Sequence, residues 1–157
     1  MSISVVARNA EPAPAVIENL EQALRETIVE TAKAQTYHWN VTGMAFGPLH
    51  ALFQEIYEDH FAAQDTLARL IKALGGHADC RLIKAIEASK ISECDGVISS
   101  TQMIENLAKD QRLLSSTLRQ IATISEEQED IVTADFAIER AAAHDNFAWM
   151  LAAHLEG

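Results

Sequence analysis

Three candidate metal ligands, His38, His50 and Asp65, lie in the first half of this chain of 157 residues. His38 and His50 carry imidazoles and Asp65 carries a carboxylate, a set of ligands that suits Fe(II) or zinc. Arg69 follows Asp65 by four residues, which is about one turn of a helix. The chemistry of the chain therefore depends on whether the three ligands meet in space, and on what Arg69 does to them.

Helical periodicity surrounds these ligands. Apolar residues recur at three- and four-residue spacing over about 15–41 and again over about 48–74, which predicts two long helices. Gly43 follows the end of the first helix, and Gly75-Gly76 stop the second. One ligand therefore lies at the end of the first helix, and the other two lie along the second.

The second half of the chain repeats this arrangement after a long connection. Residues 77–96 form that connection, and 82–88 within it have the pattern of a short helix. Two more long helices are predicted over about 97–124 and 127–155, with Ser125 as an N-cap for the last one. No alternating strand pattern is present. Because a short turn joins only antiparallel neighbours, a long crossover between helix pairs predicts an all-α, ferritin-like four-helix bundle.

The domain organisation is simple. Two prolines mark residues 1–14 as a short N-terminal arm, and 15–157 suffice for a single domain with its own core. No apolar run approaches the roughly 18 residues of a membrane span, and no signal-peptide layout is present, so a cytoplasmic location without membrane contact is expected. Cys80 and Cys94 are expected to be free thiols.

A two-metal site inside one bundle is not expected. Such sites use inward Glu residues and Glu-x-x-His pairs, and none of the six histidines has a Glu three residues before it. His60 falls within the apolar stripe of the second helix, so we interpret it as a core residue rather than a ligand.

Helix geometry separates the candidate ligands within one chain. His50 and Asp65 are 15 residues apart on one helix, which is roughly 22 Å along its axis. Fifteen steps of about 100° nevertheless bring both onto one face, away from the core stripe. If two copies pack antiparallel through this face, with the dyad near Tyr57 and Glu58, each His50 comes level with the partner's Asp65, and His38 joins them. Ordinary polar contacts at an interface are the alternative interpretation.

Several motifs resemble those of the Dps family of mini-ferritins. They are His38-Trp-Asn-Val-Thr-Gly43, Leu49-His50, Asp65-Thr-Leu-Ala68 and Ala148-Trp149-Met150-Leu151. The resemblance implies a hollow homo-oligomer of twelve subunits that oxidises Fe(II), typically with hydrogen peroxide, and stores ferric iron. It also implies a ferroxidase site at the subunit dyad, with His38 and His50 from one chain, Asp65 from the other and Trp39 beside them.

Two positions depart from the pattern of that family. Gln54 stands where an acidic residue is usual, and Arg69 stands where a Glu is usual four residues after Asp65. Arg69 offers no lone pair, repels Fe(II) and can pair with the Asp65 carboxylate in competition with metal. Weakened first-metal binding and slow or altered iron oxidation are therefore expected. Alternatively, Arg69 points to solvent, and Glu58 or water completes the site.

An acidic segment begins the last predicted helix. Glu126, Asp130 and Asp135 match the position at which the family lines its ion pores, and a negative funnel would concentrate Fe(II). A solvated helix start with favourable dipole charges is the alternative.

Family members that coat DNA use a Lys-rich tail. The N-terminal arm here lacks one and the formal net charge is −11, so little DNA binding is expected.

These observations lead to two candidate functions. The first is a Dps-type mini-ferritin that binds and oxidises iron at a shared site and protects against peroxide, with ferroxidase activity weakened by Arg69. The second is a shell that sequesters metal without a working ferroxidase site. Iron is the expected metal in the first, and zinc is a candidate substitute.

Overall fold

The computed structural model describes residues 14–156. Within this range the chain forms five α-helices and no strand. The helices are α1 (Pro14–Asn40), α2 (Phe46–Ala73), α3 (Leu82–Ala88), α4 (Ser100–Glu127) and α5 (Ile131–Ala153). Four long helices with a short helix in the crossover confirm the predicted fold class.

Helix pairs set the topology of the bundle. Short turns join α1 to α2 and α4 to α5, and these pairs pack along most of their length. The crossover then returns to the end of the bundle at which α2 begins, since Gly96 lies against Thr36 and Asn40 near the end of α1. The same return places α4 beside α1 and α3 against the outside of α1.

The core consists of two apolar clusters, one toward each end of the bundle. One cluster includes Leu20, Leu24, Ile71, Leu118 and Ile121. The other includes Tyr37, Leu49, Phe53, Leu107 and Phe147. α5 contributes mainly small residues to the interior, including Ala134, Ala137, Ala141 and Ala148, which lets α4 and α5 approach closely. The outer face of α5 exposes Ile131, Ile138 and Trp149.

The helix ends follow local chemistry. Gly43 has φ +103° after α1 and Gly75 has φ +89° after α2, a region that favours glycine. Ser99 begins α4 with a capping box, because its hydroxyl accepts from the Gln102 amide while the Gln102 side chain accepts from the Ser99 amide.

The predicted N-cap at Ser125 is wrong. α4 continues to Glu127 and buries Ser125 in its last turn, where the Ser125 carbonyl accepts from the Asp130 amide at 2.9 Å. Glu129 then reverses the chain with φ +58°, and Asp130 caps α5 by accepting from the Thr133 amide. The two helices therefore meet about three residues later than the sequence pattern predicts. A hydroxyl and nearby acidic residues are compatible with either end of a helix, so the pattern does not distinguish them.

The predicted arm lies almost wholly outside the described residues, and Pro14, assigned to it, is the first residue of α1. Over residues 14–156, no helix is both long enough and apolar enough to cross a membrane. Cys80 and Cys94 are free.

Candidate metal centre

The turn between α1 and α2 brings His38 and His50 together. His38 occupies the last turn of α1 and His50 the first turns of α2, and Gly43 reverses the chain between them. Because the two helices are antiparallel neighbours, the imidazole rings stack with centroids 3.7 Å apart and planes 14° from parallel. The pair predicted from sequence is therefore formed within one chain.

Reciprocal hydrogen bonds orient both rings. The Nδ1 atom of His38 lies 2.7 Å from the His50 carbonyl oxygen, and Nδ1 of His50 lies 2.7 Å from the His38 carbonyl oxygen. A carbonyl oxygen only accepts, so each Nδ1 carries hydrogen and donates. In a neutral ring, Nε2 then holds the lone pair. Both imidazoles thus keep Nε2 for a metal, with the tautomer set by a backbone partner as in characterised metal sites.

Aromatic residues enclose the histidine pair. Phe46 stacks on His50 at 5.0 Å, and Tyr57 meets His38 edge-on at 5.3 Å. His38 is buried, whereas Trp39 is 66% exposed on the adjacent side of α1. A second chain packed against this surface would cover the exposed indole.

Asp65 lies farther along α2 from the histidines. Its carboxylate is 68% exposed and its Oδ2 lies 2.8 Å from Nε of Arg69, which is 80% exposed. The predicted i,i+4 pair is therefore present. Within residues 14–156, no three side chains drawn from His, Cys, Asp and Glu are grouped closely enough to hold a metal ion. One chain thus presents two imidazoles at one end of an exposed α2 face and a carboxylate toward the other.

Gln54 and Glu58 occupy the middle of that face. The Gln54 amide donates to the Glu58 carboxylate at 2.9 Å, one helical turn away. This hydrogen bond occupies the carboxylate of Glu58, the residue that could complete the metal site in the alternative prediction. Glu58 would have to leave Gln54 before it could bind a metal.

A buried polar network in the centre of the bundle was not predicted. Gln111 is its hub: Nε2 donates to Glu30 Oε1 at 3.1 Å and to His60 Nε2 at 2.9 Å, while Oε1 accepts from Nδ1 of His144 at 2.7 Å. Nδ1 of His60 in turn donates to Asp59 at 2.9 Å. The interpretation of His60 as a core residue is confirmed.

Two ion pairs flank this network on opposite sides of the bundle. Arg140 donates through both Nη atoms to Asp59, at 3.0 and 2.8 Å, where α5 faces α2. Lys33 lies 2.6 Å from Asp110 where α1 faces α4, and both side chains are buried. The two cations balance one half-buried carboxylate and one buried carboxylate, so each of these charges has a counter-charge beside it.

Burial determines the protonation of the central groups. It lowers the pKa of His60, and it lowers that of His144 further, with repulsion from His60 and Arg140 adding to the effect. Burial raises the pKa of Glu30 well above its usual range, and the nearby Asp110 charge raises it further. Glu30 Oε2 meets no donor, which fits a protonated carboxyl facing Asp110.

Hydrogen bonds, rather than burial, determine the direction in which the pKa of Asp59 is shifted. Burial would raise its pKa, but hydrogen bonds from His60 and Arg140 outweigh this and hold the pKa well below its usual range. A sequence signal existed for the buried polar residues of α1. Glu26, Glu30 and Lys33 recur at helical spacing beside the apolar stripe of α1, where solvent-exposed residues are not expected.

The three acidic residues predicted to line an ion pore, near the α4–α5 turn, differ in their contacts and exposure. Asp130 is engaged with Thr133, accepting from the amide at 3.2 Å and from the hydroxyl at 2.6 Å. Glu126 lines a surface cavity of about 350 Å³ between α4 and α5, together with Arg119 and Asp145, whereas Asp135 is exposed. Asp130 therefore has a clear capping role in the single chain.

The chain is similar to known ferritin-like proteins. Residues 17–157 match the family described as ferritin-like domain. The chain is 31% identical to the DNA protection during starvation protein of Brevibacillus brevis, over 87% of this chain and 92% of that protein. Dps from Staphylococcus aureus superposes with a TM-score of 0.88 at 30% identity, covering 93% of this chain and 98% of that one.

A third similar protein belongs to a group defined by its metal chemistry. This Dps protein from Vibrio cholerae, described as a member of a broad superfamily of ferritin-like diiron-carboxylate proteins, superposes with a TM-score of 0.85 at 27% identity. The match covers 90% of this chain and 89% of that one.

Proposed function

Because the chain belongs to the Dps family of ferritin-like proteins, we propose that it is a mini-ferritin that oxidises Fe(II) at a site shared between two subunits and stores the ferric product in a hollow shell. One observation carries this proposal. The paired imidazoles at the α1–α2 turn each keep Nε2 for a metal, while a carboxylate that suits the same ion lies on the same exposed face of α2.

An antiparallel dimer brings these groups together. His50 and Asp65 are placed symmetrically about Tyr57 and Glu58, so a dyad there makes each histidine pair level with the partner's Asp65. Tyr57 beside His38 and the exposed Phe61 on the same helix provide apolar surface for such an interface. The dimer would be one unit of a dodecameric shell.

The proposed reaction needs only iron, peroxide and two protons from solvent. Two Fe(II) ions each lose one electron, one hydrogen peroxide accepts both, its O–O bond breaks, and two protons complete two water molecules. Fe(II) is the substrate here, and two imidazoles and one carboxylate would hold it. Removal of both free Fe(II) and peroxide would protect the cell that contains the protein.

Delivery of Fe(II) to the shell is the remaining step. We assign it to the acidic surface around Glu126, Asp130 and Asp135, where negative charge would raise the local concentration of cations. Zinc suits the same imidazole and carboxylate ligands and would compete with iron for them.

A complementation experiment tests whether the site is shared. His50→Ala and Asp65→Ala are each expected to abolish rapid iron oxidation, measured as ferric absorbance after peroxide is added to anaerobic Fe(II)-loaded protein. Co-expression of the two variants should restore about a quarter of wild-type activity, because half of randomly paired dimers are mixed and each mixed dimer has one intact site. A mixture as inactive as its parents would contradict a shared site.

The second candidate is a shell that sequesters metal without oxidising iron. The contact between Arg69 and Asp65 favours it, because the guanidinium engages the only carboxylate assigned to the site. Normal iron binding together with peroxide consumption no faster than that of Fe(II) in buffer would establish this candidate instead.

A further inference from the structure

We propose that Arg69 restricts each shared site to one divalent metal ion, because its guanidinium occupies the position beside Asp65 that a second ion would take. This inference rests on the shared site proposed above and concerns how many ions that site holds. A one-ion site would set this chain apart from the diiron-carboxylate superfamily to which the related Vibrio cholerae protein is assigned.

The Asp65 carboxylate already has a cation on one oxygen. Nε of Arg69 lies 2.8 Å from Oδ2, and the i,i+4 spacing on α2 makes this the natural position of the guanidinium. Arginine keeps its charge at any physiological pH and has no lone pair to offer a metal. A metal ion can therefore approach Asp65 from its other side, whereas a second ion would meet a permanent positive charge.

The number of available ligands also indicates one metal ion per site. Nε2 of His38, Nε2 of His50 and one carboxylate suit a single Fe(II) with open coordination positions once one ring turns out of the stack, because the lone pairs of two nearly parallel rings do not converge on one ion. A second ion needs further oxygen ligands. The neighbours of Asp65 at helical spacing are Phe61, Ala62, Ala68 and Arg69, and none of them carries a carboxylate.

The register of the dimer keeps Arg69 at the site. The antiparallel pairing that places His50 opposite Asp65 also places Phe46 opposite Arg69, since both pairs are symmetric about the same point. Phe46 is 46% exposed and stacks on His50 at 5.0 Å. A guanidinium at that level can lie over the phenyl ring while it stays beside the carboxylate. The positive charge thus remains next to the histidines in the assembled protein.

Zinc titration of the assembled protein measures the number of ions directly and without redox turnover. Isothermal titration calorimetry would be run on wild type, Arg69→Glu, Arg69→Gln and His50→Ala, and ions lost in His50→Ala would be counted as site ions. We expect one site ion per subunit in wild type and two in Arg69→Glu. Arg69→Gln removes the cation without adding a carboxylate, so it should bind one ion, about ten-fold more tightly than wild type.

The outcomes separate this inference from the proposed function. Two site ions per subunit in wild type, or still one in Arg69→Glu, would overturn the role of Arg69 while the shared site stands. Zinc binding that His50→Ala leaves unchanged would overturn the shared site itself. Because Arg69 is largely exposed, none of its variants should prevent folding, and circular dichroism with size-exclusion chromatography would verify shell assembly.

Discussion

Backbone hydrogen bonds set the tautomers of two histidines in this protein. The two imidazoles at the α1–α2 turn each donate from Nδ1 to the other's backbone carbonyl, which leaves Nε2 as the nitrogen available to an ion. Arg69, in contrast, occupies the carboxylate of Asp65 in an exposed ion pair. The ion pair itself is weak, typically about 0.3–0.5 kcal/mol, so Arg69 opposes metal binding mainly through the positive charge that it keeps beside Asp65.

Replacement of Arg69 by Glu should accelerate iron oxidation. The change removes a competing cation and adds a carboxylate, so the initial rate with peroxide is expected to rise about ten-fold or more. Stopped-flow measurement of ferric absorbance on the assembled protein checks this. Arg69→Lys, which keeps the charge, is the matched control and should stay close to wild type. Equal, fast rates in wild type and Arg69→Glu would show that the guanidinium does not affect the site.

Helices position these side chains, and the turn between α1 and α2 is the decisive connection. Antiparallel packing of α1 on α2 stacks the two imidazoles, while the straight run of α2 separates His50 from Asp65. In the middle of the bundle all four long helices contribute to the network around Gln111. Apart from Glu30 Oε2, the hydrogen-bonding groups of that network are paired with one another or with Arg140.

Substitution of Gly43 should destabilise this turn. Gly43→Ala forces a Cβ atom into a backbone with φ +103°, although no atom lies within 4 Å of it, so the cost comes from backbone strain alone. We expect a loss of about 1 kcal/mol or more in unfolding free energy, measured by urea denaturation. Gly47→Ala in the first turn of α2, which also has open space, is the control and should stabilise by about 0.5–1 kcal/mol. A neutral Gly43→Ala would mean that the turn adapts.

At the scale of the whole molecule, acidic charge and the buried network govern behaviour. A formal net charge of −11 attracts metal cations and repels polyanions. Two histidines and Glu30 make opposing contributions to the way in which stability changes with pH. The lowered pKa values of His60 and His144 contribute stability above pH 6.5 that is lost as the pH falls, whereas the raised pKa of Glu30 makes stability increase as the pH falls toward 4.5.

Glu30→Gln should reveal the histidine contribution. The variant removes a group whose raised pKa lets it bind a proton in the folded state at pH values above 4.5, where the unfolded state has lost that proton. Its unfolding free energy should therefore fall on acidification more steeply than that of wild type, by at most about 1.4 kcal/mol per pH unit. Urea denaturation at several pH values checks this, with the exposed Glu105→Gln as a control of unchanged slope. Parallel wild-type and Glu30→Gln profiles would mean that Glu30 is ionised in the folded protein.

DNA binding should be weak despite the name of the Brevibacillus brevis relative. Without clustered Lys and Arg, few phosphates can be neutralised, so a gel-shift assay at moderate salt should show little retained duplex. Tight binding whose affinity falls steeply with salt would contradict this prediction and would indicate a basic surface formed only in the assembled shell.

Local sequence signals were enough to predict the helices, the bundle and the pairing of His38 with His50, because apolar periodicity and turn glycines act over a few residues. They also located the Arg69–Asp65 contact, since i,i+4 neighbours meet on any helix. Tertiary packing was needed to establish that Asp130 rather than Ser125 caps α5, and that Gln111 joins Glu30, His60 and His144. The partners of Gln111 lie on different helices and far apart in sequence. Their contact depends on how the faces of the helices are rotated against each other, which no local pattern encodes.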